Sequence, residues 1–215
     1  DHALLSGLDL LYVMSHLACA DEPDHPLNAE QAARFARACA GLPKLPRSFA
    51  NSSGLFLGAD YASDLARPGC ALYGINPTPG APNPMLPVIR LEAPILQIRD
   101  IPAGASVGYG ASFVAARPSR IATIAVGYAD GYLRCLSGQG VAAYRGMILP
   151  MVGRVSMDLI TLDVTDAQGI APGDMLQLIG GAAPSPDDLA ARAGTIGYEI
   201  LTSLGDRYRR AYGAA

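Results

Sequence analysis

The stretch "LDLLYVMSHLACADEPDHPLNAEQAARFARACAGLPKLPRSFANSSGLFLG", residues 8–58, decides the fold of the first half of the chain. Its opening run, LDLLYVMSHL, is short and apolar throughout. A strand covered on both faces reads this way, so the run predicts a buried parallel strand. NAEQAARFARACAGL then changes period. Asn28 is placed to cap a helix, and Ala32, Phe35, Ala36 and Cys39 share one stripe of it. Gly41 stops this helix and Pro43 follows. SFANSSGLFLG predicts a second strand, a polar turn and a helix start. Downstream, LARPGCALYGI predicts one more apolar strand. Strand, helix and strand in this order imply a parallel sheet.

A closed (β/α)8 barrel takes about 250 residues. Residues 1–80 hold about three such units. They are a small open sheet or the end of a barrel whose beginning is absent. Residues 81–93 carry Pro82, Pro84 and Pro87 just after Pro79, and predict a linker. From residue 94 to 215 the texture is different. Short β-type runs alternate with Gly and Pro, as in RIATIAVGYADGY and GVAAYRGMILPMVGRVSMDLITLDV. SPDDLAARAGTIGYEILTSLG supplies the one late helix pattern, with Ser185 and Pro186 at its start. No internal repeat or low-complexity tract interrupts this plan.

Composition narrows the function. The chain has 215 residues, 50% of them hydrophobic, and a net charge of -3. That is ample core for two domains. No basic block exists to bind nucleic acid. No apolar run reaches 18 residues, so no membrane span is expected. The first residues lack the basic region and small-residue cleavage site of a leader. Cys19, Cys39, Cys70 and Cys135 form no C-x-x-C pair and read as reduced thiols of a cytoplasmic protein. His2, His16 and His25 are not at ligand spacing with a cysteine pair, so no metal site is expected.

Several short segments carry polar groups where chemistry would need them. Ala50-Asn51-Ser52-Ser53-Gly54 follows a strand; it is an ordinary capping turn or a phosphate cradle. Arg67 precedes an apolar run, where an arginine is costly unless paired; it is a surface residue or faces a ligand. His16 ends the first strand, either in the core or at the strand end where barrel sites lie. Tyr128 stands between an apolar strand and a tight turn in IAVGYADGY. It caps the core or is held facing a ligand. Arg154, Met157 and Asp158 cluster in VGRVSMDLITLDV at the start of a strand.

Taken together, SHLACADEP, ANSSGLFL, ARPGCALYGI, SVGYGASF, IAVGYADGYLR, VGRVSMDLITLDV and TIGYEILTSLGDRYRR resemble the alanine racemases, in the family's order and over essentially the whole chain. GYADG and GRVSMD are the most specific pieces. The resemblance implies a TIM-type (β/α)8 barrel that binds pyridoxal 5'-phosphate, followed by a mostly β domain. It implies a cytoplasmic isomerase that interconverts L- and D-alanine for peptidoglycan synthesis or alanine catabolism. It also implies a homodimer whose active sites are shared between subunits.

On this resemblance Tyr128 is the catalytic tyrosine that exchanges a proton at the substrate Cα. Arg67 faces the pyridine nitrogen of the cofactor, and His16 supports it. Ser52, the backbone of Gly69 and Cys70, and Tyr198 hold the phosphate. The N–H of Met157 meets the substrate carboxylate. Asp21, Arg154 and Ile196 line the approach to the site. Two departures are mild: Cys70 stands where relatives often have Ile, and Ser156 where many have Cys. One is large. The family's lysine motif, K-A-N-A-Y-G, is absent, and the only lysine, Lys44, does not match its position. The upstream arginine that binds the substrate carboxylate is absent too. The resemblance therefore implies the C-terminal part of a racemase that lacks about 150 residues of the barrel and is inactive alone. Two rival readings are a broader-specificity amino-acid racemase of the same fold and a module that only folds or dimerises.

Overall fold

The computed structural model describes residues 5–213. His2 lies outside these residues. The chain divides into two compact units, Asp1–Leu86 and Pro87–Ala215.

In the first unit, β1 (Val13–Met14), β2 (Arg47–Asn51) and β3 (Leu65–Arg67) lie side by side in that order, all parallel. Helix α1 (Pro26–Ala40) connects β1 to β2. Its inner face packs Ala32 and Phe35 on Leu17, Ala20 and Phe49. The Phe35 and Phe49 rings stack with centroids 5.0 Å apart, which adds to the apolar burial.

Three sequence expectations change here. The first strand is only two residues long, and Leu11, Tyr12 and Met14 are exposed. Among the described residues β1 pairs on one side only, and nothing covers that apolar run. Asn28 does not cap α1. His25 does, its Nδ1 accepting from the Leu27 N–H. Asn28 is instead buried, and its amide donates to the carbonyls of Cys19 and Glu22. It ties the loop before the helix rather than the helix end. Finally, CALYGI is not a strand. Cys70–Tyr73 forms a 3₁₀ turn closed by Gly74. Cys70 and Ala71 point inward and Leu72 and Tyr73 outward, a helical pattern rather than a period of two.

The second unit is mostly antiparallel sheet. Its strands are β4 (Leu91–Ile101), β5 (Ser106–Val107), β6 (Phe113–Val114), β7 (Ser119–Ile124), β8 (Val141–Tyr144), β9 (Met147–Pro150), β10 (Ile160–Asp163) and β11 (Met175–Ile179). Six of them form one sheet in the order β10-β7-β4-β11-β8-β9, and β5 and β6 make a small hairpin. The first residues of β4 pair with β11. After Pro94 the strand changes partner and pairs with β7. A bridge between Met151 and Leu162, with the Val152 N–H bonded to the Thr161 carbonyl, joins the two outer strands. The sheet thus closes on itself and leaves few edge groups unpaired. Ile95, Ile124, Leu162, Leu176 and Leu178 fill the interior.

The single late helix expected from the sequence is two. Helix α2 (Pro186–Ala193) has a capping box between Ser185 and Asp188 and Pro186 in its first turn. Gly194, at φ 71°, ends it in a left-handed turn. Helix α3 (Gly197–Ser203) starts again after the extended residue Ile196 and buries Ile200. No helix among the described residues is long and apolar enough to cross a membrane.

Candidate functional site

In the first unit the three parallel strands end at one edge of the sheet. That edge is where chain reversals leave side chains and N–H groups free for ligands. His16 follows β1, Asn51 and Ser52 close β2, and Arg67 closes β3.

The Arg67 guanidinium is held by neutral acceptors. It donates to the Ser15 carbonyl at 2.6 Å, the Ser48 hydroxyl at 2.6 Å and the Phe49 carbonyl at 3.4 Å. Ser48 is buried and passes its own proton to the Leu65 carbonyl at 2.9 Å. Among the described residues no carboxylate pairs with Arg67, so a full positive charge stands at the strand ends. Its Nε–H takes no part in these bonds. His16 lies against the same group, its Nδ1 3.3 Å from Arg67 Nη2 and its Nε2 3.3 Å from Asn51 Nδ2. A neutral imidazole has one acceptor nitrogen, so it satisfies one of these donors at a time. Asn51 is fixed independently, since its Oδ1 accepts from the Gly54 N–H at 2.9 Å.

Ser52 is buried at the head of a 3₁₀ turn, Ser53–Phe56. Its hydroxyl oxygen accepts from the N–H of Gly69 at 2.9 Å and of Ala71 at 3.3 Å. One side chain thus ties the turn after β2 to the turn after β3. The hydroxyl proton is not used in either bond. Two turn N-termini and a hydroxyl converge there, a donor set of the kind that suits an anion.

The second unit presents Tyr128 from the 3₁₀ turn Tyr128–Asp130, just beyond β7. The turn is laced to the loop that carries Met157. Tyr128 N–H donates to the Ser156 carbonyl at 3.0 Å and Ala129 N–H to the Met157 carbonyl at 2.9 Å. Two glycines permit this approach. A Cβ on Gly127 would overlap the carbonyls of Ser156 and Met157, and one on Gly131, at φ 92°, would overlap the Ser203 carbonyl. The backbone is therefore fixed while the side chains project: Tyr128 is 42% exposed and Met157 54%. The Met157 N–H is not used in the lacing.

Asp130 underlies the turn. It is 4% exposed. Its Oδ2 accepts from the Gly127 N–H at 2.9 Å, and its Oδ1 is 3.0 Å from Arg207 Nε. Arg207 Nη1 also donates to Asp158 Oδ1 at 2.7 Å.

Arg154 lies beside Gly110 and borders a cavity of ≈ 450 Å³, with Tyr109, Gln97, Thr123, Ser156, Leu159 and Thr161 around it. Asp21 is exposed in the loop before α1, Ile196 is exposed at the head of α3, and Tyr198 lies in its first turn. The structure groups Ser52, Gly69, Cys70, His16 and Arg67 in the first unit, and Tyr128, Met157, Arg154, Ile196 and Tyr198 in the second. Sequence reasoning missed Ser48, Asp130 and Arg207 as site residues and had Asn51 only as part of a candidate cradle turn. The one signal for Ser48 is a hydroxyl next to the apolar pair Phe49 and Ala50 in β2. Asp130 and Arg207 lie 77 positions apart by their numbers, and no local pattern links them.

Residues 88–212 match the domain family described as "Alanine racemase, C-terminal domain", and residues 1–77 match "Alanine racemase, N-terminal domain". An alanine racemase of Acidiphilium cryptum is 62% identical over 207 residues, 96% of this chain and 58% of that protein. A catabolic alanine racemase of Mesorhizobium japonicum is 55% identical over 214 residues, 99% of this chain and 55% of that protein. Among solved structures, alanine racemase from Bartonella henselae with covalently bound pyridoxal phosphate aligns with a TM-score of 0.88 at 47% identity, covering 95% of this chain and 57% of that one. The chain thus spans a little over half the length of these relatives.

Proposed function

The chain belongs to the alanine racemase family, and we propose that it forms part of a pyridoxal-phosphate enzyme that interconverts L- and D-alanine. The observation that carries this reading is the exposed Tyr128 phenol on a backbone fixed from both sides. A proton-transfer group needs such a mounting, because transfer demands reach within about 3 Å.

The donor chemistry of the first unit fits the cofactor. The Ser52 hydroxyl and the backbone of Gly69 and Cys70 would hold its phosphate, the Gly69 N–H exchanging its bond to Ser52 for one to the anion, with Tyr198 as a further partner. Arg67, a cation that keeps its proton, would face the ring nitrogen as a donor. His16 would keep Arg67 in place. Bound pyridoxal phosphate supplies the electron sink that makes the Cα proton of an amino acid labile. Because Arg67 donates without releasing its proton, it limits the charge drawn into the ring and favours simple return of the proton. Tyr128 would take or deliver that proton on one face of Cα. The Met157 N–H would orient the substrate carboxylate, and Asp21, Arg154 and Ile196 would line the approach.

We read the active site as shared in a homodimer, with Tyr128 and Met157 of one protomer completing the cofactor site of its partner. The exposure of both side chains supports this. The first unit reads as the last units of a (β/α)8 barrel and the second as the β domain; the linker expected over residues 81–93 gives way at Leu91, where β4 begins and pairs with β11. Lys44 lies in the loop leading into β2, at the edge of the sheet opposite Arg67 and Ser52. It is badly placed to carry the cofactor. The lysine on the second face of Cα would come from barrel segments that the relatives have and this chain does not match. This chain alone is accordingly expected to be inactive. The enzyme would work in the cytoplasm, supplying D-alanine for peptidoglycan or feeding alanine catabolism.

The test is to assay the form that includes the remaining barrel with pyridoxal phosphate. Either enantiomer should be converted to the racemate, with solvent deuterium entering at Cα. Bound cofactor without interconversion of alanine would refute the proposal.

A further inference from the structure

We propose that Arg207, in the segment after α3, is a positioning residue for Tyr128. The proposal rests on the racemase reading for its consequence but on separate geometry for its mechanism. Asp130 is a carboxylate buried directly beneath the Tyr128 turn, and a buried charge is tolerated only with partners on its oxygens. One oxygen is held by the turn itself through the Gly127 N–H. The other depends on Arg207 Nε at 3.0 Å. The same guanidinium reaches Asp158 through Nη1 at 2.7 Å. Asp158 is the neighbour of Met157. One planar fork thus spans the two segments that present the phenol and the Met157 backbone. A single ammonium on a flexible stem does not match that two-point geometry.

The segment around Arg207 is itself anchored to the turn. The Gly205 N–H donates to the Asp130 carbonyl at 3.0 Å. Arg210 folds back on the carbonyls of Leu204 and Gly205 and pairs with Asp206. Residues 204–210 therefore form a strap across the GYADG turn, with Arg207 as its contact to both carboxylates. Helix α3 leads directly into this strap, and Arg207 lies 77 positions beyond Asp130 in the sequence.

The test compares Arg207→Ala, Arg207→Lys and Asp158→Asn in the enzyme form that includes the whole barrel. Hydrogen exchange reads the turn directly. In Arg207→Ala, exchange at the Tyr128 and Ala129 amides should rise roughly tenfold or more, because Asp130 is left buried without its cation. Amides of β4 and β7 should keep their parent rates. Turnover should fall about ten- to a hundredfold, as expected for a misplaced catalytic group, with KM little changed. Arg207→Lys should recover part of the protection, and Asp158→Asn should loosen the Met157 segment more than the Tyr128 turn. Unchanged exchange at both amides in Arg207→Ala would overturn the proposal. So would loosened exchange with unchanged turnover, or a uniform rise through β4 and β7, which would signify a merely structural role. If Arg207→Ala does not fold, Arg207→Lys and Asp158→Asn decide by the same measurements. Absence of alanine interconversion in the parent enzyme would remove the functional reading, and the exchange result would still decide whether the strap holds the turn.

Discussion

Replacing Gly127 by alanine tests whether the lacing of the Tyr128 turn matters. The backbone at Gly127 is extended (φ -155°, ψ -167°), so the new side chain brings no dihedral strain. The whole effect is steric. The added Cβ would lie less than 3.0 Å from the carbonyl oxygens of Ser156 and Met157, which are backbone atoms. Relieving this overlap requires the turn and the loop to separate by about 1 Å. The two bonds that now measure 3.0 and 2.9 Å would stretch to about 4 Å, beyond hydrogen-bond range. Two lost bonds at about 1 kcal/mol each, plus about 1–3 kcal/mol for overpacking, give a cost of about 3–5 kcal/mol. A shift of about 1 Å in a catalytic group costs about a hundredfold in rate. The assay pairs denaturant unfolding with racemisation kinetics and hydrogen exchange at Tyr128 and Ala129. Gly41→Ala is the control: its Cβ would meet nothing closer than 3.8 Å, and it should be neutral or slightly stabilising. If Gly127→Ala keeps the parent's exchange and turnover, the lacing does not position the phenol.

Three further outcomes are expected. Tyr128→Phe should retain cofactor binding and lose about 10²- to 10⁴-fold in racemisation, with Cα deuterium exchange surviving better from one enantiomer; equal, near-parent rates from both would remove Tyr128 from the mechanism. Ser52→Ala removes the acceptor shared by the Gly69 and Ala71 amides and should weaken pyridoxal phosphate binding about tenfold, measured by titrating cofactor absorbance. Burial pushes the Tyr132 phenol well above its ordinary value, and its buried Oη has no hydrogen-bond partner among the described residues. Because its folded-state value is raised, the stability tied to keeping it protonated is complete below pH about 10 and is lost as pH rises beyond that. Tyr132→Phe should therefore be neutral or stabilising by about 1 kcal/mol at pH 7 and flatten the alkaline limb of the stability curve; a stability loss at neutral pH would show that the hydroxyl is satisfied.

What the sequence by itself determined is what local order encodes. The alternation of apolar runs with one amphipathic helix was enough for parallel pairing of β1, β2 and β3. The Gly- and Pro-punctuated runs after residue 93 were enough for a β-rich second unit. Ser185 and Pro186 marked a helix start because capping is decided within four residues. Motif order was enough for the family. Local patterns misled where a nearby carbonyl, turn or glycine overrode the periodicity. Asn28 had the chemistry of a cap, but the Cys19 and Glu22 carbonyls took its amide. CALYGI was apolar enough for a strand, but the turn after Pro68 and Gly69 turned it into a 3₁₀ segment. Gly194 divided one helical pattern into two helices. Only the tertiary structure decided that the six-stranded sheet closes through Met151 and Leu162, that Ser48 holds Arg67, and that Arg207 spans Asp130 and Asp158. Each of these joins residues 11 or more positions apart by their numbers. Periodicity reports which way a side chain faces its own element, and it carries no information about which distant charge or hydroxyl will meet it there.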